Sequence, residues 1–174
     1  MGRRPVEFGG RRSGKSRYAA ERARRSGLDV RCIVTAEAFD AEMQERITRH
    51  RAERPAHWRT IESPRGLAET LAAQAAPTRC LLVDCLTLWL SNLLCAGDEA
   101  ALEAETEALL ALAPTLPGRL LLVSNEVGWG IVPDDPLARR FRDEAGRLHQ
   151  RLAGRLERVT LVVAGLPLAL KTPS

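Results

Sequence analysis

The chain has 174 residues, 45% of them hydrophobic, which suits one packed domain spanning 1–174 and excludes a disordered polymer. Its 26 basic and 22 acidic residues leave a net charge of +4, too mild and too evenly spread to argue for nucleic acid, and 4% aromatic content supplies no base-stacking platform. No signal peptide is visible and no apolar run approaches the length that spans a bilayer, so a cytoplasmic protein without a transmembrane segment is expected.

Pro5-Val6-Glu7-Phe8 offers only two apolar residues, Val6 and Phe8, so the first strand is expected to be short. It leads into Gly9-Gly10-Arg11-Arg12-Ser13-Gly14-Lys15-Ser16, which has the form G-x-x-x-x-G-K-[ST], the phosphate-binding P-loop. Glycines let the backbone fold tightly with its N–H groups turned towards phosphate oxygens. Lys15 adds a mobile cation for the β- and γ-phosphates, and Ser16 a hydroxyl for Mg²⁺. A helix over Ser16 to Arg25, stopped by Gly27, presents its positive end to the same anion. Without that helix the motif reads as a glycine-rich surface turn.

Arg31 to Ala36 reads as a second, buried strand. Phe39 to Arg54 has a helical pattern that stops before Pro55. On it Met43, Ile47 and His50 share one face, and Arg46, His50 and Arg54 stack at i, i+4 and i+8. Flanking cations favour a neutral, nucleophilic imidazole. The same spacing also describes a half-exposed histidine on a solvated arginine-rich helix, the reading that spacing alone prefers. The loop Arg54-Pro55-Ala56-His57-Trp58-Arg59 is dense in polar and aromatic groups, and its Trp suits either a site or an anchor to the core.

Trp58 to Ile61 allows a short strand or an extended loop. Ser63-Pro64 reads as the cap and first residue of a helix running through Leu67 and Leu71 towards Ala76. Cys80 to Asp84 is an apolar strand closed by an acid, and that acid either holds Mg²⁺ near Ser16 or caps the next helix. Leu86 to Leu94 reads as a buried helix and Glu99 to Leu112 as an amphipathic one. Arg119 to Ser124 is a strand, Asn125 to Pro133 a loop, and Asp135-Pro136 opens a helix to about Leu156 with His149 on its surface. Val159 to Ala164 is the last strand, with a tail from Gly165. Cys32, Cys80, Cys85 and Cys95 form no C-x-x-C pair and read as buried free thiols.

Strands alternating with helices predict an α/β fold: one P-loop NTPase-like domain with a parallel sheet and helices on both faces. Ligands of such sheets sit at the carboxyl ends of the strands. The P-loop, Thr35, Ala36, Asp84 and the loop from Ser124 to Gly130 are therefore the places to look. Only Lys15 and Lys171 are lysines, so arginine supplies 24 of the 26 basic residues. Arginine suits bidentate phosphate contact, although most copies belong on solvated helix faces.

The chain resembles the bifunctional adenosylcobinamide kinase / adenosylcobinamide-phosphate guanylyltransferase family of cobalamin biosynthesis. The resemblance runs nearly end to end. It is carried by the Gly9-to-Ser16 loop, by Glu42-Met43, Arg46-Ile47, His50 and Arg54-Pro55-Ala56-His57-Trp58, and by Asn125-Glu126-Val127-Gly128 followed by Gly130-Ile131-Val132-Pro133. Leu137 to Asp143 and Gly146-Arg147 continue it. The first strand departs from the pattern, with Glu7 and Arg3-Arg4 where the family is more apolar.

The resemblance implies two reactions. In one, the γ-phosphate of ATP or GTP moves to the hydroxyl of the aminopropanol arm of adenosylcobinamide. In the other, a histidine attacks the α-phosphate of GTP, releases pyrophosphate and carries GMP to adenosylcobinamide phosphate. It implies that this histidine is His50. It implies nucleotide contacts at the P-loop (Gly9, Gly10, Arg11, Arg12, Ser13, Gly14, Lys15, Ser16), at Val34, Thr35 and Ala36, at Arg54, Pro55, Ala56 and His57, and at Glu62 and Asp84. Mg²⁺ would sit at Ser16 and Asp84, and the protein would be a homo-oligomer, typically a trimer. A P-loop small-molecule kinase that lacks the guanylyltransferase step is the alternative.

Overall fold

The computed structural model of the chain describes residues 5–37, 45 and 54–173. The expected helix from Phe39 to Arg54, with Met43, Arg46, Ile47 and His50, lies outside the described residues, apart from a helical Glu45 and from Arg54. The described elements in chain order are β1 (Pro5–Gly9), α1 (Lys15–Arg24), β2 (Asp29–Val34), β3 (Arg59–Glu62), α2 (Leu67–Gln74), β4 (Arg79–Asp84), α3 (Leu86–Ala96), α4 (Glu99–Leu112), β5 (Arg119–Asn125), α5 (Pro136–Arg155), β6 (Arg158–Val163) and β7 (Leu166–Lys171).

The seven strands form one sheet in the order β3-β2-β4-β5-β1-β6-β7. Every pairing from β3 to β6 is parallel, as expected. The seventh strand is a correction. What reads as a tail from Gly165 turns back through Ala164 and Gly165, both at positive φ, and pairs antiparallel with β6. Two such residues make the tight hairpin loop that matches strand twist.

Period-2 alternation sorts the apolar runs onto two faces. Leu81, Val83, Leu120 and Leu122 join one core with α2, α3, α4 and α5. Cys80, Leu82, Leu121 and Val123 join another with Ala19 and Ala23 of α1, and with Trp58, which anchors its loop to the core. Helices thus cover both faces.

Two local expectations change. Ser63 does not cap α2. Its hydroxyl donates to Arg65 O (3.0 Å) and bonds Thr70 Oγ1 (2.9 Å), and the helix starts after Gly66. Cys95 is exposed, unlike Cys32, Cys80 and Cys85. Asp135 caps α5 as predicted, accepting from Ala138 N (2.7 Å) with Pro136 in the first turn.

Candidate active site

Parallel register lines up the carboxyl ends of the strands. Val34 faces Glu62 on one side and Asp84 on the other, Asp84 faces Val123, and Gly9 faces Asn125. Predicted site residues from four distant stretches therefore share one edge of the sheet.

The P-loop leaves β1 at Gly9. A Cβ on Gly9 would lie 2.5 Å from Ser13 Oγ and 2.7 Å from Val162 O, so the tight turn admits no side chain there. Gly14 precedes α1 at φ 93, in the left-handed region. Arg12 takes φ 58, a strained position for a residue with a Cβ. The turn of the β6–β7 hairpin braces the loop from outside, with Gly165 N donating to Ser13 O (2.8 Å). No side chain caps the first turn of α1, which leaves its N–H groups to an anion. Lys15 folds back to donate to Gly10 O (3.3 Å). Arg11 and Arg12 are exposed.

Asp84 is the junction of the site. Ser16 Oγ donates to its Oδ1 (3.4 Å), and Arg54 Nη2 lies 3.5 Å from its Oδ2. A hydroxyl and a carboxylate meeting at the P-loop are the hard oxygen donors that Mg²⁺ takes. The peptide between Asp84 and Cys85 is cis.

Other expected contacts are placed differently. Thr35 is fully buried, and its hydroxyl donates to Cys85 O (2.6 Å) and accepts from Cys85 N (3.2 Å). Asn92 Nδ2 donates to Thr35 O (2.8 Å). Thr35 therefore ties β2 to the start of α3, and its hydroxyl is committed there. Ala36 and Pro55 are half-buried, while Ala56, His57 and Glu62 are exposed at the rim. The three buried cysteines are kept as thiols: burial pushes Cys32 up to about 12 and Cys80 up to about 11, and it raises Cys85, with the Asp84 charge adding to the effect.

One group at this edge escapes the sequence reading. His149 is buried, not on the surface of α5 as expected. Its Nε2 lies 2.8 Å from Ser124 Oγ, and its ring packs against Phe8 with centroids 4.3 Å apart and planes tilted by 41°. Burial lowers its pKa, and Glu126 opposes that. A signal was present: Ala145, Leu148, His149 and Leu152 fall at i, i+3, i+4 and i+7, the pattern of a buried stripe.

The sequence matches the family described as cobinamide kinase / cobinamide phosphate guanyltransferase over residues 7–170. It is 59% identical to the bifunctional adenosylcobalamin biosynthesis protein CobP of Pseudomonas aeruginosa, covering 97% of both chains. It is 43% identical to the bifunctional adenosylcobalamin biosynthesis protein CobU of Salmonella typhimurium, over 94% of this chain and 97% of that one. Among solved structures it is similar to the RadB recombinase, with TM-score 0.54 and 16% identity over 91% of this chain and 73% of the other, a likeness of fold alone. The P-loop, the acid of β4 and the near end-to-end match converge: this chain belongs to the cobinamide kinase / cobinamide phosphate guanyltransferase family.

Proposed function

We propose that the chain phosphorylates adenosylcobinamide with ATP or GTP and then transfers GMP from GTP to adenosylcobinamide phosphate, giving adenosylcobinamide-GDP and pyrophosphate. The observation that carries the kinase half is the meeting of Ser16 and Asp84 beside Lys15 at the end of the P-loop. The loop's backbone N–H groups and the uncapped start of α1 hold the phosphates, and Lys15 leaves Gly10 O to follow the charge on the transferring group. Ser16 and Asp84 would hold Mg²⁺, which neutralises phosphate charge when bound. Arg54, paired with Asp84, is placed to exchange that carboxylate for a phosphate.

The guanylyl half rests on the resemblance and on the family. Its nucleophile is His50, which attacks the α-phosphorus of GTP, expels pyrophosphate and holds GMP until the corrinoid phosphate takes it. Ala36, Arg54 to His57 and Glu62 line the nucleotide's approach, with the buried Val34 and Thr35 holding the strand end behind them. The working form is a homo-oligomer, a trimer by that resemblance, acting on small molecules in the cytoplasm. No helix among the described residues is long and apolar enough to cross a membrane.

Incubation with GTP labelled at the α-phosphate tests the reading. Wild-type protein should carry an acid-labile label and His50→Ala none, with adenosylcobinamide-GDP seen by mass spectrometry only for the former. An unlabelled wild type that still phosphorylates adenosylcobinamide would reduce the protein to a P-loop small-molecule kinase.

A further inference from the structure

β5 lies between the P-loop strand β1 and the Asp84 strand β4, so the residues that follow it open directly onto the phosphate site. Glu126 is the first carboxylate there. Its backbone N donates to Gly9 O (3.0 Å), which ties it to the root of the P-loop. Its Oε1 accepts from Gly128 N (2.9 Å). Its Oε2 lies 3.5 Å from His149 Nδ1, an atom that makes no hydrogen bond among the described residues although the side chain is 7% exposed.

The cluster behind Glu126 has one consistent direction. Nδ1 faces a carboxylate, so Nδ1 carries the ring proton. Nε2 is then an acceptor, and Ser124 Oγ donates to it (2.8 Å). Thr87 Oγ1 donates to Ser124 Oγ (3.3 Å) and accepts from Asn125 N (2.7 Å). The order resembles a Ser-His-acid relay, but Ser124 is 1% exposed and reaches no substrate. What the cluster can do is aim the carboxylate at its open end. Catalytic hydrogen bonds are often long in the free enzyme and tighten with substrate bound, which suits the 3.5 Å gap.

We propose that Glu126 is the base of the phosphoryl-transfer step and that His149 is the positioning residue that orients it. This rests on the kinase reading above. The hydroxyl oxygen of the acceptor bonds to the γ-phosphorus, the bond from that phosphorus to the β,γ-bridging oxygen breaks, and the nucleoside diphosphate leaves. The hydroxyl proton passes to Glu126 Oε2 and then to solvent. Two other acids among the described residues close strands at this edge of the sheet, and neither is placed to take the proton. Asp84 is held by Ser16 and Arg54, and Glu62 stands on β3, two strands beyond β4.

The test measures kcat and the ATP KM separately, with adenosylcobinamide as acceptor, for wild type, Glu126→Gln, His149→Leu and His149→Asn. Glu126→Gln should lower kcat about 100-fold and change KM by less than about threefold, the range expected for a lost general base. His149→Leu should lower kcat about tenfold at similar KM, and His149→Asn, whose amide N–H can stand where Nδ1–H stood, should recover most of it. A Glu126→Gln enzyme within about threefold of wild-type kcat overturns the base. His149→Asn no better than His149→Leu overturns the positioning role. If His149→Leu fails to fold, the Asn variant decides against wild type: kcat within about threefold at unchanged KM supports the role, and a larger loss overturns it. A wild type that transfers no phosphate to adenosylcobinamide refutes the kinase reading itself.

Discussion

The two faces of the sheet are built on different principles. One face lies under α2, α3, α4 and α5, and its core is leucine-rich, with Trp89 at its centre fully buried. The other face, among the described residues, lies under α1 and Trp58. It holds alanines, valines and thiols beside Leu82 and Leu121, together with a buried carboxylate, Glu7, paired to Arg22 of α1 (2.9 Å). The first face resists changes of volume and the second changes of charge. The difference matters because α1 begins at Lys15, so its seat on the second face sets the P-loop.

Replacing the centre of the apolar face should have the largest effect. Trp89→Ala empties a fully buried site and removes the indole N–H that donates to Glu105 Oε2 (3.0 Å). That carboxylate oxygen also accepts from Gly66 N (2.9 Å), so the start of α2 loosens with it. A loss of about 3–5 kcal/mol in urea unfolding is expected. A loss below about 2 kcal/mol would mean that the helices collapse into the hole and that the face is not volume-limited.

The charged face is broken by Arg22→Ala, which leaves the buried Glu7 to Thr160 and Arg158 alone and should cost about 3 kcal/mol near neutral pH. The pH dependence separates this from packing. Burial raises the Glu7 carboxyl above its ordinary 4.5, with the Arg22 guanidinium opposing the rise. The folded state therefore keeps that proton to a higher pH than the unfolded chain does. The stability it contributes is complete below pH 4.5 and is lost as pH climbs through the raised value. Relative to Glu7→Gln, the wild type should lose thermal stability as pH rises through that window, and Arg22→Ala should lose more over a wider one. Parallel Tm curves for Glu7→Gln and wild type would show that the pair carries no such load.

What the sequence reveals tracks this division. Strands β2, β4 and β5 and helix α3 declare themselves, because burial on both sides demands continuous apolar runs, and α4 does so through its one apolar stripe. The P-loop and Asp84 are legible because phosphate chemistry fixes spacing, and the sheet then brings them together. Glu7 stands out only as a departure, since its partner Arg22 lies a helix away and no local pattern pairs them. His149 hides behind Arg147, Gln150 and Arg151, whose polarity masks the stripe it belongs to. β7 is missed because Leu166, Leu168 and Leu170 stay exposed on an edge strand whose stability comes from backbone pairing. Ser63-Pro64 carries a cap signal, but the serine hydroxyl is taken by Arg65 O and Thr70.

The gentlest perturbation asks how far a helix of the apolar face depends on its end. Asp135 stands outside the core, and its carboxylate accepts from Ala138 N (2.7 Å) to cap α5. Asp135→Ala removes one cap and should cost about 1 kcal/mol. The remainder of α5 stays seated through Ala145, Leu148 and Leu152, all at least two turns from the cap. Fraying should therefore stop short of His149. A small drop in Tm with kinase kcat unchanged is the expected result, read by thermal unfolding and by the same adenosylcobinamide assay. A drop in kcat to match His149→Leu would mean that the helix transmits disorder along its length, and the apolar face would then be less rigid than its packing requires.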